Sequence, residues 1–333
     1  MRQGAYRLAL FAAAKDPAMQ HIWIDTDMGF DDLAAIGLCL AEGVQVDALS
    51  IVAGNALSIV AGNVELDRGV ANACASADVY GWTMPIHAGA DAPLKGPLHT
   101  ASYVLGDDGM PTAGRRLPAP KTRDIGTDAI AALADWIAAG GREVLALGPL
   151  TNIAHLVQRY PDLARGLRVI WMGGAFARGN HSAVAEFNAA VDPEAINVTL
   201  QGGVDLVMVG LECCREVCVT LDDLTDLRAI PGEAAQLLAD IYEGYIRIAA
   251  NGTRPMALYD PVAAALILDP TLCDLQHVQM HAEEDGTHTR GMTVIEWRAH
   301  KSTPNMHVAV NPRADQIRAR FHAALIAMAK GAA

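Results

Sequence analysis

The 333-residue sequence predicts an α/β fold, a single domain with an open, Rossmann-like, mainly parallel central sheet, helices on its faces and a few strands near the C-terminus. Three observations carry this prediction. Short apolar runs are followed by polar or glycine turns and then by stretches whose apolar residues recur at three and four, the alternation of parallel strand and covering helix. The polar positions fall just past the strand-like runs, at the carboxyl ends where such sheets bind ligands. Hydrophobic residues make up 52% of the chain and charged residues 19%, enough to bury one large core.

Residues 1 to 18 hold two arginines and a brief apolar run, Leu8 to Ala14, with Lys15-Asp16-Pro17 where a signal-peptide cleavage site would need small residues. They read as a leader or extension outside a domain spanning 19–333. His21 to Ile24 suits a buried strand, and a helix starts at Asp31-Asp32. Val46 to Ala53 is the second strand, ending at Gly54-Asn55. A helix from Ser58 to Ala77 and an extended piece from Val79 to His87 follow. The proline- and glycine-rich stretch from Gly89 to Arg123 has no sustained period, which predicts a long loop over the site.

Thr127 to Ala139 is helical by pattern and Glu143 to Leu147 is a strand, after which Gly148 to Asn152 turns into a helix that Pro161 stops. Leu167 to Met172 is a strand closed by Gly173-Gly174. Asp192-Pro193-Glu194 opens a capped helix, and Asp205 to Leu211 reads as a strand. Leu237 to Ala249 forms a helix with Tyr242 and Tyr245 on one face. Leu258-Tyr259-Asp260-Pro261 leads into an apolar helix, Val262 to Leu268, where Asp260 by itself would serve as an N-cap. The tail alternates over Val278 to Met280, Gly291 to Trp297 and Met306 to Val310, then ends in a helix from Arg313.

With a net charge of −13 and few basic runs, nothing in the sequence points to a nucleic-acid surface and an anionic membrane would repel the chain, so the expected partners are neutral or cationic. The six cysteines match neither a paired zinc spacing nor a thioredoxin motif. They are expected as buried thiols in a reducing cytoplasm. No apolar stretch reaches the length of a bilayer span.

Asp25, Asp27, Asp31 and Asp32 fall within eight positions directly after the first strand. Carboxylates so close repel one another unless a cation, protons or hydrogen-bond donors offset them, and a hard divalent ion with oxygen ligands does this well. An EF-hand loop is excluded, because Phe30 and Ile36 stand where its glycine and glutamate belong. An Asp-x-Asp phosphohydrolase of the haloacid dehalogenase type, with Mg²⁺ and Asp25 as nucleophile, stays open on these residues. Gly29 is expected to supply the backbone freedom for the turn.

The stretch Asp25-Thr26-Asp27-Met28-Gly29-Phe30-Asp31-Asp32 resembles the N-terminal signature of the inosine-uridine preferring nucleoside hydrolases, with Met28 in place of their usual proline. Met172-Gly-Gly-Ala, Gly179-Asn180, Glu186-Phe187-Asn188 and Asp192-Pro-Glu-Ala195 are similar to that family in order and spacing. So are Arg290 to Val294 and Pro304-Asn305, and the resemblance runs over about residues 20 to 325. Two histidines usual in the family are replaced, one by Tyr259 and one, in the long loop, by Leu105.

The resemblance implies hydrolysis of the N-glycosidic bond of ribonucleosides by a calcium-dependent enzyme, one Ca²⁺ per subunit, commonly a dimer or tetramer. It implies Asp27, Asp32, the carbonyl of Leu147 and Asp260 as metal ligands, with Asp27 also the general base. Asp31, Asn55, Met172, Asn180, Glu186, Asn188 and Tyr259 form the implied substrate-binding set, and Asp25 supports the turn. Tyrosine is a poor acid at neutral pH, so the proton for the leaving base is left to a water chain at Tyr259, to stacking, or to His99 or His181. A nucleoside sensor without catalysis also stays open.

Overall fold

The computed structural model describes residues 20–53, 64–96 and 109–331. In chain order its elements are β1 (His21–Thr26), α1 (Phe30–Ala41), β2 (Gln45–Ile51), α2 (Val64–Tyr80), β3 (Ile86–Ala88), α3 (Ala129–Ala138), β4 (Glu143–Ala146), α4 (Thr151–Arg159), β5 (Arg168–Met172), α5 (Phe187–Val191) and α6 (Pro193–Gln201). They continue with β6 (Asp205–Val209), β7 (Cys218–Val219), α7 (Glu233–Arg247), β8 (Met256–Ala257), α8 (Asp260–Leu268), β9 (Asp274–Ala282), β10 (Thr293–Glu296), β11 (Met306–Val310) and α9 (Ala314–Ala329).

Nine strands form one sheet in the order β10-β9-β11-β6-β5-β4-β1-β2-β3, and β7 pairs with β8 apart from it. Every pairing from β3 across to β11 is parallel. Antiparallel pairing in this sheet is confined to β9, against β11 and β10. The chain lays down β1, β2 and β3 in one direction and then returns to the other side of β1 with β4. That reversal opens a crevice between the loops leaving β1 and β4, the place where doubly wound sheets take ligands.

Strand alternation decides what each face receives. Ile22 and Ile24 of β1 join the apolar cluster under α1, α7, α8 and α9, whereas Trp23 joins the cluster under α3, α4 and α6. Both faces are thus covered, which is why β1 and β4 are buried along their central residues. At the amino-terminal edge Arg168 bridges Glu143 at 3.2 Å and Asp205 at 3.0 Å.

Several boundaries differ from the sequence reading. Helix α2 runs on to Tyr80, past the expected Ala77, because left-handed Gly81 (φ +72°) rather than the polar pattern ends it. The extended segment shrinks accordingly to β3. Strand β6 stops at Val209, and Gly210 turns the chain into a single helical turn, Leu211–Cys214. Helix α7 starts at Glu233, four residues before the expected Leu237, after Gly232 at φ +113°. The described parts of the long loop, 89–96 and 109–123, contain neither helix nor strand. All six cysteines are free thiols, and only Cys218 is not buried. No helix among the described residues is long and apolar enough to cross a membrane.

The carboxyl end of the long loop is tied to α7. Ala113 N–H donates to the Asp240 carbonyl at 2.9 Å, and Arg115 donates to the Asp240 carboxylate through its backbone at 2.8 Å and its guanidinium at 2.9 Å. Gly244, one turn on, lies under the same segment. A Cβ there would stand 2.4 Å from the Pro111 carbonyl oxygen and 2.5 Å from the Thr112 Cα. Because both are backbone atoms, no rotamer change relieves the clash. Gly244→Ala is expected to cost about 1–3 kcal/mol of stability, read as a lower denaturant midpoint at unchanged slope.

Candidate active site

The turn between β1 and α1 is built by its own side chains. Thr26 Oγ1 accepts from Met28 N–H at 3.0 Å and donates to Asp32 Oδ1, while Asp32 Oδ2 accepts from Gly29 N–H at 2.8 Å. Asp32 thereby closes a capping box on α1, which begins at Phe30 with Asp31 and Asp32 in its positive first turn. The left-handed residue is Met28 (φ +61°), not Gly29, which sits at φ −87°. A proline, with φ held near −65°, could not take this conformation. Met28 therefore departs, in backbone as well as side chain, from the proline that the resemblance implies at this position.

Alternation along β1 sends Asp25 to the opposite face from Thr26. Asp25 is fully buried and accepts from Ser50 Oγ and from Asn152 Nδ2, the latter at 2.7 Å, and Trp23 in turn holds Ser50 at 2.8 Å. Burial pushes its carboxyl up to about 7. Asp25 does not line the cavity described below, so it is not placed to attack a phosphate there, and the phosphohydrolase reading falls with that.

Asp260 reaches the same rim from 228 positions further on (260 − 32). It is the first residue of α8, and Tyr259, not Asp260, holds the capping position. Asp31, Asp32 and Asp260 each offer an oxygen within 4.8 Å of the others. Asp27, 9% exposed, stands against Asp32. Among the described residues no lysine or arginine pairs with these four acids, in contrast to the Arg168 bridge at the other edge of the sheet. Burial, then mutual repulsion, pushes Asp31 up to about 7 and Asp27 and Asp260 well above the ordinary carboxylate range. Burial also raises Asp32, with the Thr26 and Gly29 hydrogen bonds opposing.

Buried acids held this close fit a hard divalent cation, which would replace their repulsion with attraction. The oxygen-only donor set suits calcium or magnesium rather than a softer metal. Asp31, expected among the sugar-binding residues, belongs to the three-carboxylate group, and Asp27 joins it through Asp32.

Above the acids lies a cavity of about 740 Å³, within the usual range for small-molecule sites. Asp27, Asp31, Asp32, Leu147, Met172, Asn180, Glu186, Asn188, Tyr259 and Asp260 all line it. Asn188 Nδ2 donates to the carbonyls of Leu147 and Met172, both at 3.0 Å, and so ties the ends of β4 and β5 together. Glu186 caps α5, accepting from Gly174, Asn188 and Ala189 N–H at 2.8–3.0 Å; burial still pushes it up to about 7. Asn180 Oδ1 accepts from Phe187 N–H at 2.9 Å. Asn55, His99 and Leu105 lie outside the described residues.

The remaining wall was not legible as a site. Tyr245, Ile248, Ala249 and the segment Arg254–Ala257 also line the cavity, as do Arg178 and Arg215, and Arg215 donates hydrogen bonds to the carbonyls of Arg178 and Gly179, next to Asn180 in the chain. Only Tyr245 carried a sequence signal, its place on a helix face. Its partner on that face, Tyr242, stacks on Phe30 at 5.3 Å and packs against Phe321, away from the cavity. Burial pushes the Tyr259 hydroxyl up to about 12. His181 also lines the cavity, its ring edge-on to Phe187 at 5.7 Å.

Residues 22–319 match the family model described as inosine-uridine preferring nucleoside hydrolase. The chain is 33% identical over 298 residues to the non-specific ribonucleoside hydrolase RihC of Salmonella typhimurium, covering 88% of this chain and 93% of that protein. Among solved structures it is similar to a purine-preferring ribonucleoside hydrolase from Gardnerella vaginalis, with a TM-score of 0.83, 25% identity and coverage of 93% of this chain and 99% of the other. It is also similar to the plant nucleoside hydrolase PpNRh1, with a TM-score of 0.81, 29% identity and coverage of 92% and 98%.

Proposed function

Since the chain belongs to the inosine-uridine preferring nucleoside hydrolase family, a family of enzymes, we propose that it hydrolyses the N-glycosidic bond of ribonucleosides to free base and ribose, with calcium bound at the acidic rim. The observation that carries this reading is the meeting of Asp31, Asp32 and Asp260, with Asp27 beside them, at the floor of one cavity.

The reaction builds positive charge on the ribose as the C1′–N bond stretches. Asp27, Asp32, Asp260 and the Leu147 carbonyl would hold the ion, and Asp31, whose carboxylate meets those of Asp32 and Asp260, would lie within reach of both ion and sugar. Bound calcium supplies the charge that makes water acidic enough to attack at neutral pH. Asp27, which lines the cavity beside Asp32, takes the proton of the attacking water. Asp31, Asn180, Glu186 and Asn188 grip the ribose hydroxyls, Glu186 and Asn188 on backbone they already fix. Sites built to pair hydroxyls reject sugars that lack them. Tyr245, Ile248 and Phe187 offer the base an apolar face. Asp25 anchors the turn from behind through Asn152 and Ser50.

The leaving base needs a proton. Tyr259 gives one up poorly, since burial raises its pKa further. His181, which lines the same cavity, is the better matched donor, as imidazole is the side chain type that changes charge near neutral pH. His181→Ala is therefore expected to lower kcat about 100-fold, and Tyr259→Phe less than about tenfold. The reverse ranking, with the acidic limb of the pH profile lost only in Tyr259→Phe, would reassign the acid.

The decisive test is a panel of ribonucleosides assayed for reducing sugar with and without chelator. Sugar released only in the absence of chelator supports the proposal; binding without turnover across the panel would make the protein a sensor. We further propose that it works in the cytoplasm as a homodimer or homotetramer, which sedimentation of the purified chain checks.

A further inference from the structure

Among the described residues, eleven arginines of this acidic chain sit in ion pairs. The three that line the cavity are among those that do not. Arg178, Arg215 and Arg254 have no carboxylate in ion-pair range among the described residues.

Arg178 and Arg215 stand at one place in the cavity wall. Arg215 donates to the carbonyls of Arg178 at 2.6 Å and Gly179 at 2.8 Å. Glu212 accepts from the N–H groups of Phe176, Ala177 and Arg178 at 2.9–3.2 Å. The loop that carries Arg178 is thus clamped by its backbone from both sides. Both clamping groups are spent on peptide atoms, which leaves the Arg178 guanidinium for something else. Two residues on, Asn180 enters the same cavity.

We propose that Arg178 is an anion-recognising residue and that nucleoside 5′-monophosphates are substrates of this site. The inference rests on the N-glycosidic reading above, which puts Asn180 at the ribose. A guanidinium offers a planar pair of donors that matches phosphate oxygens, and a fixed loop lowers the entropy of holding it there. The bond chemistry is unchanged. The C1′–N bond breaks, water adds its oxygen to C1′, the base leaves with a proton, and the phosphate ester stays intact, giving free base and ribose 5-phosphate. Arg215 acts through the loop as a positioning residue. Arg254 lines the same cavity but is not part of the loop that carries Arg178 and Asn180, and so serves as the control cation.

The experiment compares kcat/KM for a nucleoside and its 5′-monophosphate in the full chain, in Arg178→Gln, in Arg178→Lys and in Arg254→Gln. The wild-type enzyme is expected to use the monophosphate at least as well as the nucleoside. Arg178→Gln should cut the monophosphate-to-nucleoside ratio by about tenfold or more, through KM, with Lys restoring part of it. Titration calorimetry with ribose 5-phosphate should show the same ranking without turnover. A wild-type ratio below about 0.1, or a ratio unmoved by Arg178→Gln or moved equally by Arg254→Gln, overturns the inference while nucleoside hydrolysis stands. Absence of hydrolysis with either substrate overturns the parent reading instead.

Discussion

Asp27→Asn is expected to lower kcat for nucleoside hydrolysis by about three orders of magnitude, inside the range a positioned general base contributes. The fold should persist. Asparagine keeps the shape of the side chain, and Asp27 is an acid that burial and its neighbours Asp32 and Asp31 hold well above the ordinary range, so removing its charge relieves repulsion. Thermal unfolding of the variant at or above the wild-type Tm, together with lost turnover, separates a chemical role from a structural one. Turnover within tenfold of wild type would take Asp27 out of the chemistry and leave the proton to Asp31 or to solvent.

Removing divalent cations is the second large effect. A chelator is expected to abolish turnover and to lower Tm, because a ligand present at a hundredfold its Kd contributes about 2.7 kcal/mol to the folded state. The loss should also depend on pH. Asp31 and Glu186 titrate near 7 in the metal-free fold, with Asp27 and Asp260 raised as well, whereas in the unfolded chain they return to ordinary values. The folded state then binds more protons than the unfolded one across this interval, so metal-free stability is greatest at acid pH and falls as pH rises through about 7. Calcium should restore Tm most at pH 8 and least at pH 5. A metal-free Tm that rises with pH from 5 to 8 would mean that these acids do not repel as their burial implies.

Much of the framework could be read from local pattern. The alternation of apolar strand, turn and helix is written in spacing, and strands as short as β4 or β5 were found because both faces of a parallel sheet must be apolar. The acidic stretch from Asp25 to Asp32 stood out because four carboxylates after a buried strand have no cheap solvated alternative. The misread boundaries share one cause. At Gly81, Gly210 and Gly232 the chain turns on backbone conformation, which apolar spacing does not encode. The turn at Met28 misled for the same reason, since glycine beside it was the residue to suspect.

The rest of the site depends on distance through space. Nothing near Asp260 in the chain distinguishes a helix-starting aspartate from a cation ligand; its meeting with Asp31 and Asp32 does. Asp25 and Asp27 look alike in sequence, yet Asp25 lies within β1 and turns toward Asn152, whereas Asp27 lies past the end of the strand, in the turn bent at Met28, and enters the cavity. The overall charge of −13 suggested neutral or cationic partners, while folding brings three arginines into the lining of an acidic cavity.

By itself, then, the sequence determined the α/β class, the position of the acidic turn at a strand end and the family it resembles, because these are properties of neighbouring residues. Only the tertiary structure decided which acids share a cavity, which one stays behind the sheet and which arginines go without an acid. Electrostatic energy falls off with separation in space, and separation along the chain does not report it.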